Sequence, residues 1–235
     1  MIQTCIILAG GLGTRLQSVV ADKPKVMATV GTQPFLFYVF RYLQQQGIKR
    51  VVLAVSHQRE QVMAYAATWQ DVFEISFSVE AEPLGTGGAI RQAVMNLKDE
   101  QVLILNGDTF FPIDLHDFSN KHLHDANCDL SIALKPMENF DRYGVVHCDT
   151  LNNITAFSEK EARSHGNING GIYALRTACL KEYIFPPKFS FEKDFMETHI
   201  NVLFFKAYAY QDYFIDIGIP SDYALANEVL PKQYF

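Results

Sequence analysis

The chain has 235 residues, 49% of them hydrophobic and 20% charged, an ordinary make-up for a globular protein long enough to bury a sizeable core. Its formal net charge of -6 argues against general nucleic-acid binding, which calls for a basic face, so any phosphate ligand must find its positive charge locally. No apolar run reaches bilayer length, the four cysteines form no C-x-x-C pair, and residues 1–10 lack a basic start and a cleavage site, so neither a membrane protein nor a secreted, disulfide-stapled one is expected and the cytoplasm is the default compartment.

Thr4–Leu8 is an isoleucine-rich run bounded by Ala9-Gly10-Gly11, the pattern of a buried parallel strand. A glycine-rich and then basic loop follows to about Lys25. Pro34 opens an apolar helix predicted over 34–46, and Gly47 stands where a C-terminal cap belongs. Arg50–Val55 reads as a second buried strand, 58–68 as a helix, 75–80 as a third strand, 88–97 as a helix and 101–105 as a fourth strand. Such alternation calls for a parallel sheet covered on both faces. The second half carries strands at 130–135, 144–147, 154–157 and 171–175 with fewer helices between them. A short helix at 191–198, a strand at 214–217 and a closing helix at 221–230 complete it. No linker, repeat or low-complexity segment interrupts the chain, so a single α/β domain is expected over 1–235.

The strongest local signal is Leu8-Ala9-Gly10-Gly11-Leu12-Gly13-Thr14-Arg15-Leu16. Glycines directly after a first strand allow a tight turn, and the backbone N–H groups of such a turn can cradle phosphate oxygens. The dinucleotide pattern would need glycine at Leu16, and the P-loop needs a Gly-Lys pair that the chain does not contain. Arg15 and Lys25 add a bidentate and a point cation near the loop. The segment from Gly10 to Lys25 resembles the signature loop of the sugar-1-phosphate nucleotidyltransferases, G-G-x-G-T-R-L followed by P-K. Ser18 stands where many members have proline.

Asp108 follows the fourth strand, in the crevice where open α/β sheets bind ligands. Asp216 lies among apolar residues in Tyr213-Phe214-Ile215-Asp216-Ile217-Gly218, where a lone carboxylate would be costly. The family resemblance implies that these two acids hold Mg²⁺, since two carboxylates plus waters and phosphate oxygens are a usual set for that ion. In Glu82-Pro83-Leu84-Gly85-Thr86-Gly87-Gly88, the glycine-rich entry to a helix permits close contact with a flat base, and Glu82 can accept base N–H donors. This run resembles the family's nucleobase segment. Tyr143 and Gly144, Glu159 and Lys160, and Asn169 and Gly170 resemble, in that order, its sugar-phosphate half. Glu161 replaces the usual proline after Glu-Lys.

The resemblance covers essentially the whole chain. Among the family's members, the runs F-D-R-Y-G, I-N-G-G-I-Y and Y-F-I-D-I-G are most like those of the D-glycero-D-manno-heptose 1-phosphate guanylyltransferases. It implies a Rossmann-like (GT-A-like) mixed, mainly parallel central sheet flanked by helices. About 1–110 would form the nucleotide half and about 111–235 the sugar-phosphate half. The implied reaction joins an NTP, with a lean to GTP, to a sugar 1-phosphate and releases pyrophosphate, in the synthesis of surface-polysaccharide precursors. Catalysis would fall to Arg15, Lys25 and Asp108, with Leu8, Ala9, Gly10, Gly11, Gly13, Thr14, Asn106 and Gly107 around the nucleotide. Mannose 1-phosphate is the alternative sugar. A glycosyltransferase is disfavoured because Asp108 is followed by Thr109-Phe110 and not by an Asp-x-Asp motif. A non-catalytic sensor would have lost one of Arg15, Lys25, Asp108 or Asp216. His122, His124 and Cys128 lack a suitably spaced fourth ligand for zinc. Oligomeric state is left open.

Overall fold

In a computed structural model of the chain, residues 1–11, 16, 19–20 and 23–234 are described. Strand β1 (Thr4–Leu8) leads through a 3₁₀ turn (Lys25–Met27) into a small hairpin of β2 (Thr29–Val30) and β3 (Gln33–Pro34). Helix α1 (Phe35–Gln45), β4 (Arg50–Val55), α2 (Arg59–Ala67), β5 (Glu74–Val79), α3 (Gly85–Met95) and β6 (Gln101–Asn106) then alternate. After β7 (Thr109–Phe110) and α4 (Leu115–His124) come β8 (Leu130–Phe140), β9 (Val145–Cys148), β10 (Ile154–Ser158) and β11 (Arg163–Arg176). Short α5 (Ala178–Lys181), a π-helix (Phe191–Glu197), β12 (Phe205–Ala209), β13 (Ile215–Asp216) and α6 (Pro220–Gln233) close the chain.

Among the described residues, nine strands make one mixed sheet. Strands β5, β4, β1 and β6 run parallel, and β11 joins β6 antiparallel. The long β11 then carries β8 and β9 antiparallel, while β12 adds to β8 in parallel. The result is a single α/β domain whose main sheet is parallel in its first half and mostly antiparallel in its second, the mixed sheet the sequence pattern calls for.

The core explains why β1 is apolar from Cys5 to Leu8. Cys5 and Ile7 belong to one hydrophobic cluster with Val51, Leu53, Leu103 and Leu105. Ile6 belongs to the other with Val52 and Ile104. Side chains alternate across a strand, so a central strand covered on both faces needs hydrophobes at both parities. Helix α1 ends as expected, with Gly47 in the left-handed region at φ +72°.

The structure also shifts several boundaries. The helix expected from Gly88 begins at Gly85. The strand expected over 214–217 shrinks to Ile215–Asp216, because only those residues find a partner, β7. Strands β8 and β11 outrun their predicted spans, since each is the other's partner from Leu130 to Phe140. Strand β12 was not anticipated, and its ladder with β8 is what makes it a strand.

Helix α4 carries a buried histidine. His122 Nδ1 lies 2.9 Å from Ser131 Oγ, and Nε2 lies 2.9 Å from Gln101 Oε1. That suits a neutral ring accepting at one nitrogen and donating from the other. Burial, followed by the charge of Arg176, depresses its pKa from 6.5 to about 4. The unfolded chain therefore binds the extra proton first, and stability conferred by the neutral ring is complete above about pH 6.5 and lost as pH falls toward about 4. Urea unfolding across this window is expected to show a loss of at most about 3 kcal/mol that His122→Gln does not show. An identical pH slope in the two proteins would contradict it.

Candidate active site

The carboxyl ends of β1 and β6 open onto a pocket of about 190 Å³. Leu8, Ala9, Gly11, Lys25, Asn106, Gly107 and Asp108 line it, joined by Val26 and Thr86. Gly107 donates its N–H to Leu8 O at 3.0 Å, and a Cβ there would stand 2.4 Å from that oxygen. Glycine is therefore what lets the two strand ends close together beside the pocket. The 3₁₀ turn that follows Pro24 carries Lys25, whose Nζ lies 2.6 Å from Asp108 Oδ2. The Lys25 side chain is 14% exposed and that of Asp108 is 32% exposed, so the pair is only partly screened by water.

The ribbon of β7 and β13 brings in the second acid. Asp216 pairs with Thr109 in that ribbon, and Ile217 N–H donates to Asp108 O at 3.0 Å. Residues far apart in sequence thus place two carboxylates on neighbouring positions. Asp216 Oδ1 also accepts from Gly218 N–H at 2.7 Å, which fixes its side chain. Among the described residues no group of three His, Cys, Asp or Glu side chains is arranged to hold a metal ion. Two hard oxygen donors, with the remaining positions left to water and substrate oxygens, fit Mg²⁺ and not zinc.

A second pocket, of about 320 Å³, adjoins the first and shares Asn106 with it. Tyr143, Gly144, Glu159, Lys160, Asn169 and Asp216 line it. Asn169 Nδ2 donates to the Tyr173 hydroxyl at 2.9 Å, and its Oδ1 accepts Gly171 N–H at 2.9 Å. Gly144 allows close approach to the next strand, since a Cβ would stand 2.7 Å from Ser158 O. Arg142 reaches Asp222 of α6 at 2.5 Å and the Tyr143 hydroxyl at 3.2 Å, tying the rim of this pocket to the closing helix.

The nucleotidyl transferase family model matches residues 4–233. The chain belongs to the nucleotidyl transferase family. This nucleotidyltransferase is 44% identical, over 96% of its length and 97% of the relative's, to D-glycero-alpha-D-manno-heptose 1-phosphate guanylyltransferase of Aneurinibacillus thermoaerophilus. It is 46% identical to the enzyme of the same name from Campylobacter jejuni, over 93% of this chain and 96% of the relative. The crystal structure of HddC from Yersinia pseudotuberculosis superposes with a TM-score of 0.87 at 37% identity, covering 97% of this chain and 99% of that one. HddC has also been solved in complex with GMP-PN, and that structure gives a TM-score of 0.85 at 36% identity.

Not every expected residue of this nucleotidyltransferase reaches a pocket. Arg15, Gly13 and Thr14 lie outside the described residues. Glu82 and Pro83 are exposed and line neither pocket. Glu80, the buried acid of that segment at 6% exposed, lines neither pocket either. Its N–H still joins the ladder to Val55 O, so Glu80 keeps the inward parity of Ser78, whereas Glu82 lies past the strand end. Glu80 Oε2 accepts Leu84 N–H at 2.8 Å, and Oε1 would lie 2.9 Å from a Cβ on Gly10. Burial raises its pKa, against the lowering effect of the Leu84 bond.

The glycines of the same run do a different job from the one expected. Gly87 and Gly88 are in the first turn of α3 and pack on the segment before the π-helix. A Cβ on Gly87 would stand 2.2 Å from the Phe189 ring, and one on Gly85, at φ +73°, 2.6 Å from Phe189 O. Their openness is filled by protein. Gly170 likewise packs against Phe111 and Ala133 O, beneath the larger pocket and not in its wall. Thr109, Arg142, Ser190 and Glu192 line the larger pocket without having been singled out. The sequence reads here only as a short helix over 191–198, and the packing of this segment against α3 is what brings Glu192 to the pocket.

Proposed function

We propose that this chain transfers the guanylyl group of GTP to the phosphate of D-glycero-D-manno-heptose 1-phosphate, giving a GDP-heptose and pyrophosphate, in the cytoplasm and in support of surface-polysaccharide synthesis. The observation that carries the reading is the adjacency of the two pockets: they share Asn106, with the Lys25–Asp108 pair lining the smaller and Asp216 the larger. The names and near-complete coverage of the relatives support the choice of heptose and guanine. The smaller pocket would take the triphosphate and the larger the sugar phosphate.

An oxygen of the sugar phosphate attacks the α-phosphorus of the nucleotide. The bond from that phosphorus to the bridging oxygen breaks, and the electron pair leaves with pyrophosphate. The attacking oxygen is already anionic near neutral pH, so no side chain needs to remove a proton. The demand is to hold two anions together and to meet charge as it develops, which fixed cations achieve. Lys25 would lie between the α-phosphate and the sugar phosphate, kept in place by Asp108. Arg15 would hold the β- and γ-phosphates. Mg²⁺, held by Asp108 and Asp216, would neutralise phosphate charge and orient the nucleotide.

Glu80 joins Glu82 as an acid placed to read the base. Its carboxylate lies against Gly10 and can accept the paired N–H donors of a guanine edge. Glu80→Gln is expected to raise KM for GTP by about 10- to 100-fold, the range of one bidentate base contact, and to narrow the preference for GTP over ATP. Unchanged base selectivity would return the assignment to another residue.

The reaction is tested by pyrophosphate release with GTP, ATP, CTP, UTP and dTTP against heptose 1-phosphate and mannose 1-phosphate in the presence of Mg²⁺. Release confined to GTP and heptose 1-phosphate is expected. Release with another pair would keep the reaction and overturn the substrate. Nucleotide binding without release would favour a sensor.

A further inference from the structure

Glu192 stands in the first turn of the π-helix, and its side chain lines the larger pocket. Its Oε2 accepts from Thr86 Oγ1 at 3.4 Å and from Ser190 Oγ at 3.3 Å. Its Oε1 accepts from the Tyr173 hydroxyl at 3.5 Å, and that hydroxyl in turn accepts from Asn169 Nδ2 at 2.9 Å. Thr86 also accepts Phe191 N–H at 2.9 Å, which fastens the π-helix to the first turn of α3. Thr86 lines the smaller pocket, whereas Glu192 and Asn169 line the larger. One hydrogen-bonded chain therefore runs from the wall of one pocket to the wall of the other.

The bonds onto Glu192 share one feature. All three are far longer than the 2.7–2.8 Å usual for a hydroxyl donor, so the carboxylate is held in place but weakly used. A carboxylate accepts at about four lone-pair sites, which leaves room for stronger donors from the pocket. Charged side chains also line that pocket, among them Arg142, Glu159, Lys160 and Lys193, whereas the groups that donate to Glu192 itself are neutral hydroxyls. Burial, and after it the charge of Glu192, raises the Tyr173 pKa well above its ordinary value, so the phenol remains a neutral donor. A carboxylate linked through the buried Tyr173 to the lining amide of Asn169 suits sugar hydroxyls and repels a phosphate, which Lys160 of this pocket and Lys25 of the other attract.

We propose that Glu192 is a specificity-determining residue of the sugar site, accepting hydrogen bonds from sugar hydroxyls, and that Thr86 holds it there from the nucleotide side. This rests on the reading that the larger pocket receives the sugar 1-phosphate. It adds a residue outside the motifs that carry the family resemblance, and it links the two pockets through a side-chain contact between α3 and the π-helix.

The test measures pyrophosphate release by the full-length protein and by Glu192→Gln, Glu192→Asp and Thr86→Val, using whichever sugar 1-phosphate the wild type turns over best. Glu192→Gln keeps the shape and removes the charge. It is expected to raise KM for the sugar 1-phosphate at least about tenfold, as loss of a charged hydrogen bond does, with KM for the nucleotide within about twofold and thermal midpoint unchanged. Glu192→Asp should restore part of the sugar affinity, and Thr86→Val should also raise KM for the sugar. Unchanged sugar KM in Glu192→Gln, or a rise matched by an equal rise in nucleotide KM, would overturn the proposal. A lowered midpoint without a sugar effect would assign Glu192 a structural role only and overturn it as well. A wild type that prefers a sugar other than heptose overturns the substrate reading alone, and a wild type that turns over no sugar 1-phosphate overturns both.

Discussion

Lys25→Ala is expected to lose at least about a hundredfold in turnover, in line with removal of one preorganised charged donor. The lysine lies in the wall of the smaller pocket, 2.6 Å from Asp108, with its side chain mostly withdrawn from solvent. Such a cation needs no reorientation when charge builds on the transferred phosphorus, and its field is stronger than that of a surface lysine. Truncation also removes the partner that holds Asp108 in place. Lys25→Arg should recover only part of the rate, because a planar guanidinium does not present a point charge in the same place. The measurement is single-turnover pyrophosphate release at saturating substrates, with circular dichroism to confirm the fold. Near-normal turnover in Lys25→Ala would remove Lys25 from the mechanism.

The larger effect is expected at the acids. Asp108→Asn and Asp216→Asn should each lower turnover by at least about a thousandfold, since the charge stabilisation that a bound metal provides amounts to several kcal/mol and each 1.36 kcal/mol is a factor of ten. Asp216 lies in β13 and Asp108 immediately precedes its partner β7, so on the proposed reading each substitution removes half of the protein's oxygen donors for the metal without removing a buried hydrophobe. Asp108→Asn further leaves Lys25 without its partner, so its loss should exceed that of Asp216→Asn. Mn²⁺ binding followed by electron paramagnetic resonance provides a readout separate from turnover. Both variants should bind the ion more weakly than the wild type, and a chelator should stop pyrophosphate release while leaving the protein folded. Wild-type Mn²⁺ affinity in both variants would mean that these acids do not hold the metal.

The site was legible in the sequence to different depths. The Gly10 to Lys25 segment carries its chemistry in local order, so Lys25 and the strand-end residues Leu8, Ala9 and Gly11 could be placed before any fold was known. Asp108 could be placed for the same reason, since it follows a strand. Glu80 could not be separated from Glu82. Both lie at the same parity in one acidic run, and the choice depends on where β5 stops pairing with β4. Glu192 was hidden more completely, because the sequence reads there only as a short helix and its role depends on contact with Thr86, over a hundred residues away.

The order of elements belongs in the same account. By itself the sequence determined the α/β class, the four parallel strands of the first half and the glycines that directly follow the first strand. Those features come from side-chain period, turn chemistry and short spacing, which are properties of neighbouring residues. Only the tertiary structure decided that β12 is a strand, that Gly85 and Gly87 accommodate Phe189, that Asp108 and Asp216 adjoin, and that two pockets meet at Asn106. Each of these depends on pairing between segments distant in the chain, and a strand ladder or a packed glycine has no local signature when its partner is that far away.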